Sequence, residues 1–146
     1  MGRVGMTHRL SFSELLNYDP GQPGITVPVT LSLNQTQVSC EAKVDTGASF
    51  CIFARSHGEQ LGLDIADGLR QIIGTVTGSF VAYLHEVNLS VAGLEFSAFV
   101  AFAEEETFRR NVLGRRGFLE QVTMGLVDYE GRLYLNHYPD GADAES

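Results

Sequence analysis

The most regular feature of the chain is an alternation of apolar and small polar positions. From Ile25 to Leu33 the apolar set is Ile25, Val27, Val29, Leu31 and Leu33, with Thr30 and Ser32 among the residues between them. A period of two describes a strand with one buried face. Pro28 cannot donate to a ladder, so this strand lies on an edge or turns that position outward. After the polar break Asn34-Gln35, a second strand runs from Gln37 to Val44. Val38, Cys40, Ala42 and Val44 share one of its faces, and Gln37, Ser39, Glu41 and Lys43 share the other. The two strands are close enough in sequence to form a hairpin. Asp45-Thr46-Gly47-Ala48-Ser49 follows, and then the apolar run Phe50-Cys51-Ile52-Phe53-Ala54. The pattern is strand, tight glycine-containing loop, buried strand. Residues Ser56 to Leu63 are expected to form a short helix, N-capped by Ser56 and ending near Gly62.

Gln71 to Leu84 reads as a hairpin punctuated by Gly74 and Gly78 around Thr75-Val76-Thr77. Val87 to Val91 is a strand, Ala92-Gly93 a turn, and Leu94 to Ala103 a further strand bounded by Glu104-Glu105-Glu106. Asn111 to Gly117 leads into an expected short helix from Phe118 to Val122. A last hairpin spans Val127 to Leu135 and turns at Glu130-Gly131. About nine short strands at a spacing near ten residues, with one or two short helices, describe an all-β, mainly antiparallel barrel or sandwich.

Composition narrows the function. A chain of 146 residues makes one domain, and 44% hydrophobic with 19% charged residues is ordinary for a globular protein. Ten Lys and Arg against eighteen Asp and Glu give a net charge of −8, which disfavours binding to nucleic acid. Small molecules, peptides or other proteins are the expected partners. The longest apolar stretch, Phe96 to Ala103, is interrupted by Ser97, and residues 1–6 contain no apolar leader core. The chain therefore reads as cytoplasmic and free of the membrane, whether whole or cut from a larger protein. Cys40 and Cys51 have no partner at metal-ligand spacing, and His8, His57, His85 and His137 are scattered, so neither metal nor cofactor is expected. Glycine-rich phosphate loops are absent. Ser49 has no nucleophile elbow or placed base. Glu104-Glu105-Glu106 reads as a solvated turn close in sequence to Arg109-Arg110 and Arg115-Arg116, and Phe96, Phe99 and Phe102 read as core.

Asp45-Thr46-Gly47 stands out by its context. A plain turn accepts Asp and Gly readily, but this one lies between Ala42, Val44 and the run Phe50 to Phe53. A carboxylate between two apolar strands is costly unless it is hydrogen-bonded or shares a proton. A strand, then Val44-Asp45-Thr46-Gly47-Ala48-Ser49, then an apolar strand, resembles the active-site loop of the retropepsin-like aspartic proteases, the group that includes the retroviral proteases. The resemblance extends from Ile25 to Leu135. Gly74 to Val81, about 30 residues after the aspartate, is similar to the family's flap (Gly74, Thr75, Val76, Thr77, Gly78, Ser79, Phe80, Val81). Leu113-Gly114-Arg115 is similar to its apolar–Gly–Arg segment.

The resemblance implies a closed barrel over residues 25–138, an N-terminal segment 1–24 packing on or extending it, and a flexible acidic tail 139–146. It also implies that Asp45 is catalytic and that Thr46, Gly47, Ala48 and Ser49 organise its loop. None of the other six aspartates lies in Asp-Thr-Gly or Asp-Ser-Gly, so the second carboxylate of an aspartic protease has to come from a second copy. The function implied is that of a homodimeric endopeptidase taking an extended peptide, without a cofactor. Two positions depart from the retroviral pattern. Ser49 stands where a second Asp often pairs with the Arg of the Gly-Arg segment, so Arg115 lacks that partner, and Arg116 stands where Asn or Asp is common. An inert dimerisation or peptide-binding module on the same fold is the alternative.

Overall fold

The computed structural model describes residues 5–138. Ten strands run through it in chain order: β1 (Glu14–Asn17), β2 (Thr26–Leu33), β3 (Thr36–Val44), β4 (Ile52–Phe53), β5 (Leu69–Thr75), β6 (Gly78–Val91), β7 (Leu94–Ala103), β8 (Val112–Leu113), β9 (Val122–Val127) and β10 (Arg132–His137). One helix, α1 (Arg55–Gln60), and three single 3-10 turns complete the described residues. The expected tail 139–146 lies outside the described residues.

The larger sheet has the order β2-β3-β8-β4-β7-β6-β5, and its ladder returns on itself where Val29–Ser32 of β2 pair with Asn88–Val91 of β6. The class is all-β, as expected, but the cylinder is not strictly closed. Strand β5 pairs only with the first half of β6 and leaves a free edge, while β4 and β8 contribute two residues each. Pro28 sits just before the stretch of β2 that pairs with β6, where no second ladder needs its amide. The β2–β3 hairpin turns through Asn34 and Gln35, both with positive φ (49° and 72°), the geometry that matches the twist of a two-residue hairpin. A second, three-stranded sheet has the order β1-β10-β9.

The alternation read from the sequence sorts residues onto the core. Val27, Val29 and Leu31 share the main core with Val87, Leu89 and Val91 of the neighbouring β6, and Phe53, Phe102, Leu113 and Phe118 are fully buried in the same cluster. Each such side chain contributes about 1.5–3 kcal/mol by leaving water. A second, smaller cluster of Ile52, Ala82, Ala101 and Val112 lies on the opposite face of the sheet, beneath the β5–β6 hairpin. Strands β6 and β7 are apolar on both faces where they pass between the clusters. The second arm of the expected hairpin, Gly78 to Leu84, and the expected strand Val87–Val91 accordingly belong to one long β6, while the first arm is β5.

Three further expectations change. The helix starts at Arg55 rather than after a Ser56 cap, because Ala54 N–H is already held by the Asn111 side chain (3.1 Å). Gly62, with φ +91°, ends it as expected. Phe118 to Val122 is not an α-helix: Leu119–Gln121 form a 3-10 turn and Val122 already opens β9. The last hairpin is accordingly longer than Val127–Leu135, and Gly131 closes it at φ +66°. The β9 pattern is obscured by Gly125, where any Cβ would meet the Phe12 ring at 2.8 Å. Among the described residues, no helix is long and apolar enough to cross a membrane.

Gly58 tests the packing of α1. An added Cβ would lie 2.6 Å from Ile65 Cδ1 and 2.9 Å from Phe102 Cδ1, both in the core. In an exposed helix Gly→Ala stabilises by about 1 kcal/mol. Here Gly58→Ala is expected to destabilise by about 1–3 kcal/mol, read from the midpoint of urea unfolding.

Candidate active site

The loop that carries Asp45 leaves β3 and re-enters the sheet at β4, while β8 runs between those two strands, parallel to β3 and antiparallel to β4. The three segments are joined by main-chain hydrogen bonds. Asp45 N–H donates to Leu113 C=O (3.0 Å), Arg115 N–H to Ala48 C=O (2.8 Å), and Arg116 N–H to Ser49 C=O (2.9 Å). Gly114 lies directly beneath the loop: a Cβ there would stand 2.2 Å from Phe50 C=O oxygen and 2.8 Å from that of Ala48. Asn111 ties the same region from the side. Its amide donates to Glu41 C=O (3.1 Å) and its Oδ1 accepts from Ala54 N–H. The aspartate is therefore held by main chain on three sides.

Within the loop, Asp45 Oδ1 accepts Gly47 N–H at 2.9 Å, and Ala48 N–H donates back to Asp45 C=O at 3.1 Å. This Asx-type turn orients the carboxylate without a side-chain cation. Asp45 and Ala48 are half-buried, whereas Thr46, Gly47 and Ser49 are exposed. Asp45 opens onto a cleft of about 650 Å³. Ile52 and Val112 line it from the sheet, and Ile72, Ile73, Gly74, Thr75, Val76 and Phe80 line it from the β5–β6 hairpin. The glycine-rich hairpin thus faces the aspartate loop. Of the eight residues singled out there by sequence, Gly74, Thr75, Val76 and Phe80 reach the cleft, while Thr77, Gly78, Ser79 and Val81 do not line it. The pairing of Thr75 with Gly78 leaves Val76-Thr77 as the tip, and Val76 is fully exposed.

Leu113, Gly114 and Arg115 act at this site through their backbones. The Arg115 side chain borders a separate recess with Ser49, Arg116 and Glu120. Glu120 accepts Gly117 N–H there at 2.8 Å. Phe108, Arg110, Ile52, Ile72, Ile73 and Val112 also line the cleft and were not singled out by sequence. A lone aromatic in a polar stretch, Glu106-Thr107-Phe108-Arg109-Arg110, is the one local signal, and it marks only Phe108 and Arg110. Phe108 stacks on Phe80 with ring centroids 4.6 Å apart, joining the hairpin base to the segment before β8.

Neither thiol is poised for chemistry. Burial pushes Cys51 up to about 12 and Cys40 up to about 11, so both are protonated at neutral pH. Among the described residues, no group of three His, Cys, Asp or Glu side chains is placed to hold a metal. Gly114→Ala is expected to destabilise by about 3 kcal/mol by forcing the loop off β8. Differential scanning calorimetry reads that loss.

The sequence matches the aspartyl protease family over residues 27–116. No curated protein is matched. Among solved structures, the chain is similar to EIAV protease complexed with the inhibitor HBY-793, at 21% identity and a TM-score of 0.51. That similarity covers 68% of this chain and 88% of the EIAV protease chain, and at this identity it concerns the fold. With the match spanning the aspartate loop, the hairpin and the Leu113-Gly114-Arg115 segment, the chain belongs to the aspartyl protease family and carries a retropepsin-like fold.

Proposed function

We propose that residues 25–138 form an aspartic endopeptidase domain that works as a homodimer, with one Asp45 from each copy. The observation that carries this reading is the placement of one half-buried Asp45 on a cleft whose opposite wall is the Gly74-containing hairpin. Two carboxylates about 3 Å apart cannot both ionise easily, so the pair shares one proton. The ionised oxygen takes a proton from a water held between the carboxylates as that water attacks the amide carbon. The protonated oxygen hydrogen-bonds to the substrate carbonyl and stabilises the negative charge that develops there. Proton transfer to the leaving nitrogen completes the cleavage.

The surrounding residues take roles consistent with their positions. Thr46 and Ser49 are exposed beside the aspartate, where a two-fold mate would cover them. Thr46 locks the two loops across the axis, and Gly47 leaves room for backbone and substrate. The hairpin, with its exposed tip, closes over a peptide that adds to the site in extended form. Apolar side chains flank the scissile bond, because Ile52, Ile72, Phe80, Phe108 and Val112 supply the walls.

The alternative reading, an inert peptide-binding dimer, draws on Ser49 and Arg116, the two positions that depart from the retroviral pattern. One pair of measurements separates the two. Asp45→Asn is expected to lower peptide cleavage by about 10³-fold or more, while leaving the thermal midpoint within about 2 °C. Specific activity of the unmodified chain is expected to fall on dilution in step with dissociation measured by sedimentation. Undiminished activity in the Asn variant overturns the mechanism. Activity that stays flat through dissociation overturns the shared site.

A further inference from the structure

The lining of the cleft at Asp45 is mostly apolar and contains two charged residues, Asp45 and Arg110. We infer that Arg110 is a specificity-determining residue, receiving a carboxylate side chain of the substrate. The inference rests on the peptidase reading of the same cleft and goes beyond it by naming a substrate class. That class is extended peptides with apolar residues at the cut and a single Asp or Glu close to it.

Three observations support the assignment. First, the position of Arg110 is fixed although its side chain is exposed. Two residues before it, Phe108 is stacked on Phe80 at 4.6 Å. On its other side Asn111 bonds to Glu41 C=O, to Ala54 N–H and, through its own carbonyl, to Lys43 N–H at 2.9 Å. Second, the guanidinium has no carboxylate within ion-pair distance among the described residues, where the pairs formed are Arg55–Glu59 and Arg132–Glu130. Glu104, Glu105 and Glu106 are near in sequence, but Glu104 is occupied by the Tyr83 hydroxyl at 2.9 Å. Third, the neighbouring walls are Phe80, Phe108, Ile72 and Val112. A peptide carboxylate entering between them loses water and finds one cation, a planar donor suited to bidentate pairing. The net charge of −8 argues for one carboxylate rather than an acidic tract, since the field of the whole chain repels polyanions.

Successive residues of an extended peptide advance about 3.3 Å, so a carboxylate within about three residues of the cut lies within reach of the cleft wall. Two-fold pairing of Asp45 places one Arg110 on each side of the bond.

The test compares kcat/KM of the 146-residue chain on peptides matched except for Glu or Gln near the cut. The unmodified chain is expected to favour Glu by about tenfold, or about 1.4 kcal/mol. That ratio falls to near one in Arg110→Gln, and Arg110→Glu favours Lys over Glu at the same positions. A Glu/Gln ratio near one in the unmodified chain, or a Glu preference that survives Arg110→Gln, overturns the inference. If no peptide is cut, the peptidase reading fails separately, and fluorescence anisotropy of the same labelled pairs decides. Tighter binding of the Glu peptide that is lost in Arg110→Gln upholds the Arg110 contact, and equal binding overturns it.

Discussion

The contact on which the rest of the structure depends is the passage of Gly114 beneath the aspartate loop. The loop and β8 approach so closely that an added Cβ would sit 2.2 Å from the Phe50 carbonyl oxygen. That proximity lets Asp45, Ala48 and Ser49 exchange main-chain hydrogen bonds with Leu113, Arg115 and Arg116. A loop fixed only by its own side chains would leave the carboxylate free to move with them. Here its position is set by β3, β4 and β8 together, and those strands are anchored in the main core through Leu113, Phe53 and Ala42. Precision at the aspartate is thus an outcome of packing far from it.

The second apolar cluster carries this order outward to the hairpin. Ala48 and Phe50 of the loop pack against the same buried group as Ile73, Phe80 and Phe108. The base of the hairpin and the floor of the cleft therefore form one packed unit, while the tip at Val76-Thr77 projects free of it. A packed base with an exposed tip is the arrangement that the proposed closure over a peptide needs. Arg110, two residues after Phe108, also lines the cleft, so the charge proposed to read a substrate is carried by a segment tied to the same unit as the aspartate loop.

Much of this was legible in the residues. The period-two faces of β2 and β3, and the strand–loop–strand frame of Asp45, follow from which side chains tolerate water. Gly114 was legible as part of an apolar–Gly–Arg segment, although the carbonyls it must pass beneath were not. What escaped has physical causes. Strand β1 is four residues long and gains its stability by pairing with β10, more than a hundred residues away. Strand β6 is apolar on both faces from Phe80 to Leu84 and then carries the adjacent polar pair His85-Glu86, which reads as a break although the strand continues. Gly125 belongs to a strand because Phe12 fills its place, a tertiary reason with no local mark. Phe108 and Arg110 sit in a polar stretch, and only the fold brings them onto the cleft with Asp45.

The central claim is that one reaction centre is built from two copies of Asp45. Mixing the unmodified chain with Asp45→Asn at constant total concentration, after subunit exchange, tests it most directly. With a dyad shared between copies, cleavage falls as the square of the unmodified fraction, because only dimers with two Asp45 residues act. Activity that falls in simple proportion to that fraction would contradict the account.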